Sequence, residues 1–108
     1  TASDALKMGV PMVTYLGKSY QARMGASIIN ALDLPELITN SPEEYESLAV
    51  ELATNPDKLK TIKDKLAVNL TRAPLYNTKL FTKNIELAFT EMYERSQKGL
   101  EPDHIYVK

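Results

Sequence analysis

The chain contains no cysteine among its 108 residues. Disulfides, thiolate nucleophiles and zinc–thiolate sites are therefore excluded, and the composition fits a cytoplasmic protein. There is a single histidine, His104, in a polar tail. Neither a histidine metal centre nor a Ser-His-acid arrangement can be argued from it. An excess of one charge is also missing, because 13 Lys and Arg against 14 Asp and Glu leave a net charge of −1. That balance supplies no global field for nucleic acid or an anionic membrane, and neither is expected as a partner. No apolar run approaches the ~20 residues needed to span a bilayer. The first residues show no signal-peptide pattern, and Gly-rich phosphate loops are absent.

What remains is an ordinary globular balance, 44% hydrophobic and 25% charged, in a length that suits one compact unit. The first residues read directly as a helix start, which suggests a fragment of a longer chain. The spacing predicts a short helix over 1–8, stopped by Gly9 and Pro11. Val10 to Tyr15 is apolar and β-branched and reads as a buried strand closed by Gly17. Helical spacing returns from Ser19 to Leu32, with Tyr20, Met24, Ser27, Ile28, Ala31 and Leu32 expected to face inward. Leu34-Pro35 then gives a turn, and about Glu36 to Thr39 a second strand. This helix–strand alternation predicts an α/β fold with a parallel pairing.

From Ser41 onward only helices are expected. Ser41-Pro42-Glu43-Glu44 combines a cap, a proline at the first helical position and a candidate capping box. Tyr45, Leu48, Ala49 and Leu52 form the apolar stripe of that helix. Asn55-Pro56-Asp57 opens another helix, with Leu59, Ile62, Leu66 and Leu70 inward. A last helix is expected from about Asn77 to Lys98, with Leu80, Phe81, Ile85, Ala88, Phe89 and Met92 as core positions and Gly99 as its stop. No 34-residue tetratricopeptide pattern is present within the chain.

Thr1 and Asp4 form the most informative pair. A helix start offers free N–H groups and a partial positive charge to phosphate. A threonine there adds a hydroxyl, and a carboxylate one turn along can accept hydrogen bonds from ribose hydroxyls. Spacing alone is better explained by helix capping, which such residues commonly do. Glu43, Glu44 and Glu46 suit a helix start through the dipole. Lys58, Lys60, Lys63 and Lys65, interspersed with Asp57 and Asp64, read as a solvated face. Asn69-Leu70-Thr71 matches a glycosylation sequon by chance.

Three segments together resemble the C-terminal end of the O-GlcNAc transferase family, bacterial type. Thr1-Ala2-Ser3-Asp4-Ala5-Leu6 followed by Gly9-Val10-Pro11-Met12-Val13-Thr14 is similar to the family's donor-site helix and the strand after it. Gly17-Lys18-Ser19-Tyr20-Gln21-Ala22-Arg23 with Ala26-Ser27 resembles the loop and helix that follow, although Leu16 and Lys18 replace a proline and a glutamate. Pro74-Leu75-Tyr76-Asn77-Thr78, Phe81-Thr82, Met92-Tyr93, Gly99 and Pro102-Asp103-His104 resemble the segment that ends the catalytic region. The resemblance runs through the whole chain. It implies the C-terminal part of a Rossmann-like (GT-B) nucleotide-sugar-binding domain, helix-rich with two short parallel strands. Residues 1–40 would be a partial donor-binding segment and 41–108 the C-terminal helices of the same domain.

The parent, with tetratricopeptide repeats upstream, would be an inverting glycosyltransferase. It would move a sugar, typically N-acetylglucosamine, from UDP to Ser or Thr of an acceptor protein, without metal or other cofactor. Carried over by position, Thr1 would contact the diphosphate and Asp4 the ribose hydroxyls, which reverses the capping reading of that pair. No catalytic residue is expected within the chain. The isolated chain is expected to be inactive, and, with apolar surface uncovered, either to self-associate or to be a marginally stable monomer. Two rivals remain: a helical interaction module, in which no strands pair, and a transferase of the same architecture using another sugar nucleotide.

Overall fold

A computed structural model describes residues 1–107 of the chain. They divide into two compact units, one of Thr1–Ala73 and one from Pro74 onward. The first unit holds helix α1 (Ala2–Lys7), strand β1 (Thr14–Tyr15), helix α2 (Tyr20–Ala31), strand β2 (Ile38–Thr39), and helices α3 (Pro42–Thr54) and α4 (Pro56–Arg72). The second holds helix α5 (Thr78–Gln97) after a single 3-10 turn at Pro74–Tyr76.

The two strands pair in parallel, Thr14 opposite Ile38 and Tyr15 opposite Thr39. The Leu16 amide donates to the Thr39 carbonyl at 2.8 Å, and the Thr39 hydroxyl donates to the Thr14 carbonyl at 2.8 Å. This pairing is the α/β arrangement expected from the helix–strand rhythm, and it counts against a purely helical module. The strands are shorter than the sequence suggests. Residues 10–13 form no strand, because the Val10 amide donates back to the Ala5 carbonyl at 3.0 Å and Pro11 has no N–H to offer. Glu36 is likewise not in a strand, since Pro35–Leu37 forms one turn of 3-10 helix before β2 begins.

The helix boundaries follow local chemistry. The Ser19, Ser41, Asn55 and Asn77 side chains each accept from a backbone N–H three residues on, at 3.2, 3.1, 3.1 and 3.0 Å. At Ser41 the reciprocal half of the box is displaced by one residue: Glu44 Oε2 accepts from the Asn40 amide at 2.8 Å rather than from Ser41. Helix α1 ends with Gly9 at φ +83°, its amide bonded to the Leu6 carbonyl. With the Val10–Ala5 bond, this makes a Schellman closure. Helix α2 closes in the same way through Asp33 at φ +54°, a left-handed backbone that favours glycine.

Leu6, Ile29, Leu32, Leu34, Leu37 and Leu66 are almost wholly buried, with Ala26, Leu52 and Ile62 beside them. Leu32 at the end of α2 is buried as expected, but together with Ala26 and Ile29 rather than with Tyr20 and Met24, which are 74% and 38% exposed. The packed flank carries Gly25. A Cβ built there would stand 2.7 Å from Thr14 Oγ1, so α2 approaches β1 along its small-residue flank. On α3, Leu52 is buried as expected and Leu48 half-buried, but Tyr45 and Ala49 are exposed. On α4, Ile62 and Leu66 are buried as expected.

In the second unit no residue of α5 is buried. Phe81 is 63% and Phe89 59% exposed, so the expected core positions of this helix are surface.

Candidate functional site

Helix α1 is anchored at its far end by fully buried Leu6 and the Gly9 closure. Its near end faces solvent. Thr1 occupies the N-cap position and its carbonyl accepts from the Ala5 amide at 3.0 Å, yet its side chain makes no capping bond. Asp4 lies in the first turn, and both side chains are exposed. The pair predicted from sequence is thus brought together at one helix end, with the Thr1 hydroxyl not spent on capping.

The other sequence candidates resolve as surface chemistry. His104 is exposed, its amide donating to Asp103 Oδ1 at 2.7 Å and its ring 6.4 Å from that of Tyr106. Lys58 pairs with Glu51 at 2.8 Å, Lys60 with Asp64 at 2.9 Å and Lys65 with Glu36 at 3.1 Å, the solvated face expected of α4. The Asn69 side-chain nitrogen donates to the Leu32 carbonyl at 2.7 Å and to the Asp33 carbonyl at 3.3 Å, so the sequon asparagine is structural. Among the described residues no three His, Asp or Glu side chains gather as a metal site, and no helix is long and apolar enough to cross a membrane.

One feature was not legible as a site. An open depression of about 640 Å³ lies along α2, lined by Leu16, Tyr20, Arg23, Met24, Ser27 and Ile38 among others. Sequence periodicity assigned Tyr20, Met24 and Ser27 to the core, but all three are exposed, while α2 comes close to Thr14 at Gly25.

The sequence model of glycosyl transferase family 41 matches residues 1–85, a span that includes α1, both strands, and helices α2 to α4. The chain belongs to glycosyl transferase family 41. The family 41 match takes in both Thr1 and Asp4. Curated relatives extend the similarity through the rest of the chain. A UDP-N-acetylglucosamine–peptide N-acetylglucosaminyltransferase of Caenorhabditis elegans is 34% identical over 105 residues, covering 97% of this chain and 9% of that protein. A probable enzyme of the same name, SEC, from Arabidopsis thaliana is 35% identical over 108 residues, covering 99% of this chain and 11% of that one. A probable one, SPINDLY, from Hordeum vulgare is 30% identical over 102 residues, covering 94% and 11%. The chain therefore spans about a tenth of the length of these relatives, and the O-GlcNAc transferase resemblance of its three segments is shown.

Proposed function

We propose that this chain is the C-terminal part of the donor-binding half of a GT-B glycosyltransferase. The full enzyme moves N-acetylglucosamine from UDP to Ser or Thr of an acceptor protein, with inversion and without a metal. Thr1 and the open N–H groups of α1 meet the diphosphate, and Asp4 accepts from the ribose hydroxyls. Fixed N–H dipoles at that end stabilise the charge that grows on the departing UDP. The single observation that carries this reading is the family 41 match across residues 1–85, which includes both residues. The names of the relatives support UDP-N-acetylglucosamine as donor and a peptide as acceptor. The uncapped Thr1 hydroxyl and the exposed Asp4 carboxylate support the residue roles, since neither side chain is buried in the fold.

The test is calorimetric titration of UDP into the full-length enzyme that contains this chain. Asp4→Ala is expected to weaken binding by roughly 1.5–3 kcal/mol, the worth of hydrogen bonds to a charged group. That corresponds to about a tenfold to hundredfold higher Kd. Equal affinity in the variant and the parent removes Asp4 from the donor site.

A further inference from the structure

Helix α1 is only six residues long. A helix that short is marginal on its own in water, so groups outside it must set where its near end points. Among its residues only Leu6 is buried. One anchored side chain holds a point on the helix and leaves its direction free. The direction is set at the far end. There the Gly9 amide donates to the Leu6 carbonyl at 3.0 Å, and the Val10 amide donates to the Ala5 carbonyl at 3.0 Å. Pro11 follows and biases Val10 to extended backbone, so the chain leaves the closure toward β1 along a defined path.

The closure depends on one backbone angle. Gly9 stands at φ +83°, in a region disfavoured about fivefold to thirtyfold for a residue with a Cβ. Crowding is not why glycine is needed, because a Cβ built on Gly9 meets nothing within 4 Å. A methyl added there acts through φ alone. Gly99 is its match in the second unit. It stands at φ +69°, and a Cβ built on it also meets nothing within 4 Å. Its amide donates to the Ser96 carbonyl at 3.0 Å and that of Leu100 to the Arg95 carbonyl at 3.1 Å, the same closure on α5.

We infer that Gly9 is a positioning residue for the nucleotide-sugar donor: its left-handed closure sets the direction of α1 and so holds Thr1 and Asp4, at the opposite end, where the donor meets them. The inference rests on the donor-site reading of those two residues. It is a matter of leverage. At 1.5 Å per residue α1 is about 9 Å long, and a tilt of about 15° at the closure moves its other end by about 2 Å. A shift of that size breaks a hydrogen bond.

The test is calorimetric titration of UDP into the full-length enzyme that contains this chain and into its folded variants. Gly9→Ala is expected to raise Kd about three- to tenfold, since only part of the population then keeps α1 in the binding direction. Gly9→Asn is expected to restore most of the affinity, because asparagine tolerates the left-handed region. Gly99→Ala, the matched control, should leave Kd unchanged. A role in folding alone would lower the melting midpoint of Gly9→Ala without moving Kd, and that result overturns the inference. So does an equal loss in Gly99→Ala or in Gly9→Asn. A double-mutant cycle with Asp4→Ala gives a further readout. Gly9→Ala should lose less affinity in that background, because one contact it positions is already gone, and full additivity counts against the inference. Asp4→Ala also separates the two readings. If it leaves UDP binding unchanged, the donor-site reading fails and the role of Gly9 falls with it. If it weakens binding while Gly9→Ala does not, the role of Gly9 alone is refuted.

Discussion

Asn69 joins α4 to the end of α2, and its replacement tests how the first unit is held together. Helix C-termini leave carbonyls without intrahelical partners. At the end of α2 the Asn69 side-chain nitrogen, on another helix, donates to the Leu32 carbonyl at 2.7 Å and more weakly to the Asp33 carbonyl at 3.3 Å. Leu32 itself is fully buried, so water has restricted access to the stronger bond. Asn69→Ala removes a hydrogen bond worth about 1 kcal/mol net and leaves a part-buried carbonyl short of a donor, which costs about 1–3 kcal/mol. The two figures overlap as descriptions of one loss, and a destabilisation of about 1–2 kcal/mol is expected. At about 4–8 °C per kcal/mol for a unit of this size, the melting midpoint falls measurably. Asn69→Asp is expected to be worse, because it sets a carboxylate against carbonyls at the negative end of a helix dipole. Its deficit should shrink as pH falls and the new carboxyl becomes protonated, since the folded state raises the pKa of that group and stabilises its neutral form. Urea melts of the three proteins, with amide exchange read at α2 and α4, measure this. If Asn69→Ala melts with the wild type, or Asn69→Asp is the milder change, the bridge contributes nothing and the argument fails.

Two further outcomes follow from backbone geometry. Gly25→Ala should destabilise the first unit, because the added methyl stands 2.7 Å from Thr14 Oγ1. In a Thr14→Ala background the same change should turn stabilising by up to about 1 kcal/mol, the helix preference of alanine over glycine, and a urea double-mutant cycle reads the change of sign. Asp33→Gly should raise the melting midpoint by relieving a left-handed backbone at φ +54°, a conformation that costs roughly 1–2 kcal/mol for a residue with a Cβ and less for aspartate; a lower midpoint would show that the Asp33 side chain holds the turn.

What could be read from sequence was what is decided locally. Ser41-Pro42 and Asn55-Pro56 announce helix starts because the cap and the proline act within three residues of themselves, and both helices begin there. The strands were overestimated because strand status depends on partners elsewhere in the chain. Val10 looks like a strand residue by side chain, but its amide is taken by the closure of α1. Periodicity set Tyr20, Met24 and Leu32 on one inward side of α2, but of these only Leu32 is buried, alongside Ile29, and α2 comes close to Thr14 at Gly25. Thr1 and Asp4 were legible as a helix start, and only the resemblance to a transferase family gave them a ligand. Arg23 was legible only as part of the resemblance, because being unpaired is a property of the folded surroundings.

The core lies away from the sheet. The wholly buried leucines are Leu6, Leu32, Leu34, Leu37 and Leu66. They sit in α1, at the end of α2, around the turn into β2, and on α4. The sheet contributes only Thr39 among its buried residues, while Tyr15 is 47% exposed. In a parallel α/β layer the strands are ordinarily the most buried elements. Here the order is inverted: leucines from helix ends and a turn are sealed, and the strands stand half open. The leucine cluster, rather than the sheet, is therefore what holds the first unit together.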